Sequence, residues 1–141
     1  QILCETGLLP GALLNNESRK FICKNVNLKP VSRAASVSSA LDPSTPITIP
    51  IAHGEGNYFI EEDGLKALQD NDQVLFQYCD ETGAVNAWSN PNGAVANIAG
   101  VANREMNVFG MMPHPERAAS EDLGNSDGKA ILAGLAALVE A

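Results

Sequence analysis

Hydrophobic and polar positions switch between two periods along the chain. Val26 and Leu28 alternate with Asn25, Asn27 and Lys29, and Ile47, Ile49 and Ile51 alternate in a second run. Side chains of a strand point alternately to its two faces, so these patterns predict strands over 21–29 and near 47–51. Pro50 cannot donate to a ladder, which places the second strand at an edge or near a strand end. Three more strands are expected at 74–78, 95–101 and 107–112, the last two flanking a turn at Asn103-Arg104. Helical spacing governs two other stretches. Residues 61–70 open with Glu61, Glu62 and Asp63 in the first turn and turn Leu65 and Leu68 inward. A C-terminal helix starts around Ser126 or Asp127 and carries Ile131, Leu132, Leu135, Leu138 and Val139 on one face. Residues 1–5 read as the tail of an amphipathic helix stopped by Gly7 in a left-handed cap. Pro10-Gly11, Asp80 to Gly83 and Asn90 to Gly93 read as turns. Residues 30–46, rich in Ser, Ala and Pro, are expected to form a long surface loop.

Strands and helices therefore mix within 141 residues, the size of one domain, with no internal repeat. The composition, 45% hydrophobic and 18% charged, excludes disorder as the main state. An alternating α/β chain should place a strand before the opening helix, so further sequence upstream is expected. The start Gln1-Ile2-Leu3-Cys4, inside an apolar element and without Met, points the same way, to a fragment or a processed product. The net charge of −8, with no stretch rich in Lys or Arg, argues against a nucleic-acid partner. No apolar run approaches the ~20 residues that span a bilayer. Cys4, Cys23 and Cys79 have neither disulfide-framework nor zinc spacing, so no metal site is expected, the setting is reducing and cytoplasmic, and each thiol is expected to behave as a buried small hydrophobe.

Two segments could carry chemistry. In Met111-Met112-Pro113-His114-Pro115-Glu116-Arg117 each proline biases the residue before it towards extended backbone, so His114 and Glu116, two apart, should project to one side. A carboxylate beside an imidazole can fix its tautomer and stabilise its cation, as in catalytic triads. On spacing alone, the same pair reads more readily as a surface His–Glu contact. In Ile51-Ala52-His53-Gly54-Glu55-Gly56-Asn57-Tyr58 the glycines flanking Glu55 let backbone approach a ligand, and His53 ends a strand, where α/β folds bind ligands. A glycine-rich turn with a solvated His and Glu fits that pattern too.

Taken together, four segments resemble a known family. They are Gln1-Ile2-Leu3-Cys4-Glu5-Thr6-Gly7-Leu8-Leu9-Pro10-Gly11-Ala12-Leu13, Ile49 to Tyr58, Asn97-Ile98-Ala99-Gly100 and Gly110-Met111-Met112-Pro113-His114-Pro115-Glu116-Arg117. The chain resembles the glutaminase subunits of phosphoribosylformylglycinamidine synthase, a branch of the class I, triad-type glutamine amidotransferases. A proline-flanked His–Glu pair occurs across that class, and the HGEGNY and MMPHPER segments together point to this branch. The resemblance implies an α/β, flavodoxin-like three-layer αβα sandwich around a mostly parallel sheet. Residues 1–141 would form its C-terminal portion, with the N-terminal half missing. Gln1 matches the closing Gln of a G-x-C-x-G-x-Q nucleophile pattern whose Cys would lie four positions upstream. His114 then resembles the general base and acid and Glu116 its orienting partner. Gln1, Gly54, Glu55 and Gly56 resemble glutamine-binding elements.

The implied activity is hydrolysis of glutamine to glutamate and ammonia, for conversion of formylglycinamide ribonucleotide to formylglycinamidine ribonucleotide in purine biosynthesis. The implied partners are a synthetase subunit and a small accessory subunit. No cofactor is expected in this chain, ATP and Mg being used by the synthetase subunit. Lacking the attacking sulfur, the chain is expected to be inactive alone. The alternative is a non-catalytic fragment or interaction module that docks on the synthetase subunit.

Overall fold

The strand at the centre of the sheet has almost no polar position. Val74–Cys79 is buried at every residue but Gln77, so both of its faces are covered. It sits in the middle of a five-stranded sheet in a computed structural model that describes residues 1–140. In chain order the elements are α1 (Ile2–Glu5), β1 (Ala12–Leu14), β2 (Ile22–Pro30), α2 (Ser36–Ser39), β3 (Ile47–His53), β4 (Asn57–Phe59), α3 (Glu62–Asp70), β5 (Val74–Cys79), β6 (Ile98–Ala102), β7 (Phe109–Met111) and α4 (Lys129–Glu140). The large sheet runs β3-β2-β5-β6-β7, and β1 pairs with β4 in a separate ribbon. Every strand pair among the described residues is antiparallel, so these strands do not form the parallel part of the sheet that the family resemblance implies.

The alternating strands behave as their pattern requires. In β3 the residues Ile47, Ile49, Ile51 and His53 are buried and those between them are half-buried. Its partner β2 matches Val26 to Ile49 and Leu28 to Ile47, so both apolar sets share one face. β3 lies at the sheet edge, as Pro50 demands. The first turns also follow the sequence. Thr6 closes α1 and Gly7 takes the left-handed conformation, φ +78°, that favours glycine. The expected strand at 95–101 is shorter at its start. Val95–Asn97 winds as a 3-10 turn with Ala96 and Asn97 at positive φ, and the strand begins at Ile98.

Two expectations fail. Residues 30–46 are a surface loop only in part: Asp42, Pro43, Ser44 and Thr45 are exposed, but Ser32, Ala35, Val37 and Ser38 are buried and the segment holds α2. Its small residues serve close packing. A Cβ on Gly134 of α4 would lie 2.4 Å from the Ser36 carbonyl oxygen, so the α2 and α4 backbones nearly touch. Asp72 fixes the start of the segment, its Oδ2 accepting from Ser32 Oγ at 3.1 Å and from the backbone amides of Arg33 and Ala34 at 2.8 Å each. The Arg33 guanidinium closes the segment on the Leu41 and Ser39 carbonyls. The second failure is the apolar face of α4. Ile131 is buried, Leu132 and Leu138 are half-buried, and Leu135 is 44% and Val139 82% exposed. The helix docks through its first turns and Gly134, and of its outer apolar positions Leu135 and Val139 stay exposed. It also starts later than the sequence suggests, because Asp127 spends its carboxylate on β3 and does not cap the helix.

Replacing Leu135 with Ala should therefore change the unfolding free energy of the full-length protein by less than about 0.5 kcal/mol, as at an ordinary surface position. Replacing Phe76, which is fully buried in β5, should cost about 3–5 kcal/mol. Urea unfolding of the two variants beside the parent checks both values. A cost for Leu135→Ala near that of Phe76→Ala would show that α4 is covered in the full-length protein.

Candidate active site

The backbone that delivers His114 leaves the sheet through β7. Met112 donates its amide to the Ala99 carbonyl at 3.0 Å, which extends the β6–β7 pairing by one step. Pro113 is buried, and the His114 amide then crosses to the opposite edge strand and donates to the Pro50 carbonyl at 2.8 Å. Pro115 opens a 3-10 turn, Pro115–Ala118, a position suited to proline because the first amides of a helix have no partner inside it.

That turn brings Glu116 back to the imidazole, with Nδ1 and Oε1 2.7 Å apart. The expected juxtaposition of His114 and Glu116 is present, but it arises through a helical turn and not through strand alternation. His114, at φ −106° and ψ 87°, lies outside the regular extended region, and the chain coils immediately after it. The Glu116 carboxyl is held below its ordinary pKa. Partial burial works against ionisation, but its own backbone amide, the His114 hydrogen bond and the charges of His114 and Arg117 outweigh it. An ionised carboxylate on Nδ1 leaves Nε2 as the nitrogen free to exchange a proton with a reactant.

Gln1 sits at the mouth of a cleft of about 290 Å³ whose lining also includes Cys4, Tyr58, Gly100, Met111 and Met112. One wall thus ends two residues before His114. The Gln1 side chain donates to Glu5 Oε1 at 2.8 Å. The turn at Gly54, Glu55 and Gly56 does not line this cleft. Glu55 is exposed, and Gly56 lies so close to His53 that a Cβ there would fall 2.2 Å from the ring. Internal packing is enough to require that glycine.

His53 is not solvated, contrary to the turn reading. It is buried in a polar cluster that the sequence did not announce. Its Nδ1 faces Asn16 Oδ1 at 2.9 Å, and its Nε2 faces Asn92 Nδ2 at 3.4 Å. Asn16 Oδ1 also accepts from the Gly56 amide at 2.9 Å, while its Nδ2 donates to the Lys20 and His53 carbonyls at 2.7 and 2.8 Å. The Asn16 amide donates to the Gly54 carbonyl at 2.8 Å. Asn92 Nδ2 in turn donates to the Tyr78 hydroxyl at 3.1 Å, and Asn92 Oδ1 accepts from the Ala94 amide. These partners assign the His53 proton to Nδ1, with Nε2 as acceptor. A cationic ring would set an N–H against the Asn92 amino group.

The cysteines divide. Cys79 is buried, which pushes its thiol up to about 11. Cys4 is half-buried, its Sγ 3.8 Å from the Pro10 carbonyl, and burial pushes its thiol up as well. Cys23 departs from expectation. It is exposed on the outer half of β2, because that half has β3 on one side only. Among the described residues no cluster of three His, Cys, Asp or Glu side chains is placed to hold a metal, and no helix is long and apolar enough to cross a membrane.

Comparison with known proteins places the chain in a class. The CobB/CobQ-like glutamine amidotransferase domain matches residues 1–128, and the chain belongs to that family. Its α/β fold is the expected class I glutamine amidotransferase fold. It superposes on a chain from a solved structure, "Structure of PurLQS from Thermotoga maritima", with a TM-score of 0.79 at 40% identity, over 99% of this chain and 57% of that one. Among curated relatives, the phosphoribosylformylglycinamidine synthase subunit PurQ of Aquifex aeolicus is 52% identical over 128 residues, 91% of this chain and 56% of the relative. The subunit of the same name from Sulfurimonas denitrificans is 50% identical over 134 residues, 95% of this chain and 58% of the relative. The chain thus spans just over half the length of these relatives.

The buried state of His53 has a pH signature. Burial foremost, and the nearby charge of His114, hold its pKa below 6.5 against the opposing pull of a backbone contact. A depressed histidine binds protons more weakly folded than unfolded. Its contribution to stability is therefore complete above about pH 6.5 and is lost as pH falls from there through the folded pKa. The urea midpoint of the full-length protein should fall between pH 7.5 and pH 5.5, and His53→Gln should flatten that slope while lowering the midpoint at pH 7.5. An unchanged slope in the variant would mean that His53 is not the titrating group.

Proposed function

We propose that this chain carries the acid–base half of a glutamine-hydrolysing site, within the glutaminase subunit of phosphoribosylformylglycinamidine synthase. The observation that carries the reading is the 2.7 Å contact between His114 Nδ1 and the Glu116 carboxylate, held in the turn that follows β7 in a glutamine amidotransferase fold. Glu116 keeps the Nδ1 proton in place, so Nε2 takes the proton of an attacking thiol. The thiol belongs to a cysteine four positions upstream of Gln1 in the longer protein. The thiolate attacks the side-chain carbonyl of glutamine, and the tetrahedral adduct collapses as His114 returns the proton to the leaving nitrogen. Ammonia departs and a thioester remains. Water, deprotonated by His114, then releases glutamate and the free thiol.

The same reading assigns Gln1, Gly54, Glu55 and Gly56 to glutamine binding. It also assigns the ammonia to a synthetase subunit, assisted by a small accessory subunit, that aminates formylglycinamide ribonucleotide with ATP and Mg. This chain would need no cofactor and would act in the cytoplasm. Support comes from the names of the relatives, of which the two described above are both called subunit PurQ, and from the similar solved structure, which is that of a PurLQS assembly.

Ammonia and glutamate release, measured with the synthetase partner present, tests the reading. The full-length protein should turn over glutamine, and residues 1–141 alone should give background rates. His114→Ala in the full-length protein should lose about 10⁴-fold or more in kcat, as when a triad member is removed. Glutamine turnover that survives His114→Ala would leave the interaction module as the better account. Turnover by residues 1–141 that disappears on mutating Cys4 would make Cys4 the nucleophile.

A further inference from the structure

We propose that Asp127 and Gly128 are positioning residues for the His114–Glu116 pair, forming a strap that clamps the 114–118 turn onto the outer edge of β3. The inference rests on the functional reading above and extends it to residues that touch neither glutamine nor the nucleophile.

Three backbone groups on the outer edge of β3 are taken by the same chain segment. The Pro50 carbonyl accepts from the His114 amide at 2.8 Å. The Thr48 amide donates to Asp127 Oδ2 at 2.8 Å, and the Thr48 carbonyl accepts from Asn125 Nδ2 at 2.6 Å. Pro50 has no amide of its own, so no donor at that step is left without a partner. Asn125 and Asp127 are themselves tied, the Asp127 amide donating to Asn125 Oδ1 at 2.9 Å. The segment is thus pinned to one strand at its start by His114 and at its end by Asp127.

Gly128 closes the loop from the other side. Its amide donates to the Ala118 carbonyl at 2.7 Å, the last residue of the turn that carries Glu116. A Cβ at Gly128 would lie 2.2 Å from the carbonyl oxygen of Pro115 and 2.8 Å from its Cα. Those atoms are backbone and cannot swing aside as a side-chain tip could. Pro115 stands between His114 and Glu116, so any side chain at position 128 must displace the peptide that sets their separation. Side-chain placement within about half an ångström is what general acid–base chemistry demands, and misplacement by about 1 Å can cost a hundredfold in rate.

The test uses the full-length protein with its synthetase partner, and separates kcat from KM for glutamine. Gly128→Ala should lower kcat about a hundredfold with KM within about threefold, because the base moves and the glutamine contacts do not. Asp127→Ala should lower kcat about tenfold, and Asp127→Asn, which keeps an acceptor for the Thr48 amide, should restore it to within about twofold. His114→Ala is the control for the functional reading. If it is dead while Gly128→Ala and Asp127→Ala keep the parent kcat, the strap is overturned and the reading stands. Losses carried by KM, or losses that only track the amount of folded protein, overturn the strap as well. Should Gly128→Ala not fold, equal kcat values for Asp127→Ala and Asp127→Asn overturn it. If His114→Ala is fully active, the functional reading falls and takes the strap with it.

Discussion

The hydrogen bond from the His114 amide to the Pro50 carbonyl is the contact on which the arrangement of the site depends. It joins the segment leaving β7 at one side of the sheet to β3 at the other, and so fixes where the imidazole stands. A strand edge is a row of unpaired donors and acceptors, and proteins commonly cover such edges. Here the cover is the segment that bears His114 and Glu116. Edge protection and positioning of the pair are achieved by the same few bonds, with Pro50 presenting no donor at its own step.

At its other end β3 runs into His53, and the chemistry changes character. His114 is half-exposed and meets a carboxylate, whereas His53 is buried and meets two amides. The two histidines of the chain thus occupy opposite environments. The neighbour of His114 is a carboxylate, and burial among neutral dipoles favours the uncharged ring at His53. Asn16 is the pivot of the second environment. Its amide side chain and backbone together serve the 53–56 turn and the chain at Lys20, and Asn92 links the ring onward to Tyr78. Three loops far apart in sequence are held as one unit, so the glycine-rich turn owes its shape to these bonds as well as to its glycines.

Proline and glycine act at the site through geometry more than through flexibility. Pro115 starts the turn that folds Glu116 back, and Gly128 admits the Pro115 peptide to a distance no side chain would allow. Gly56 does the same for the His53 ring, and Gly134 for the α2 backbone. At Gly128 and Gly134 the neighbour is remote in sequence, and at Gly56 it is a ring three residues away that Asn16 and Asn92 hold in place, so local pattern alone cannot say whether a glycine marks a turn, a ligand or a close contact.

The amino-acid sequence by itself determined the strands with clean alternation, the short helix α3, the Gly7 stop, an edge or strand-end position for Pro50 and the pairing of His114 with Glu116. These are consequences of local steric rules and of residues a few positions apart. Tertiary structure alone decided the rest. The Ser- and Ala-rich segment at 30–46 looks like a loop because small side chains show no period, yet their smallness is what lets α2 press against Gly134. The apolar stripe on α4 has the spacing of a buried face, but burial needs an opposing surface, and only its first turns find one among the described residues. Asp127 has the look of a helix cap, but β3 offers it an amide 79 positions away. The Asn16, His53 and Asn92 cluster leaves no trace in the sequence for the same reason. A hydrogen bond between distant residues has no period, and only the folded chain brings its two ends together.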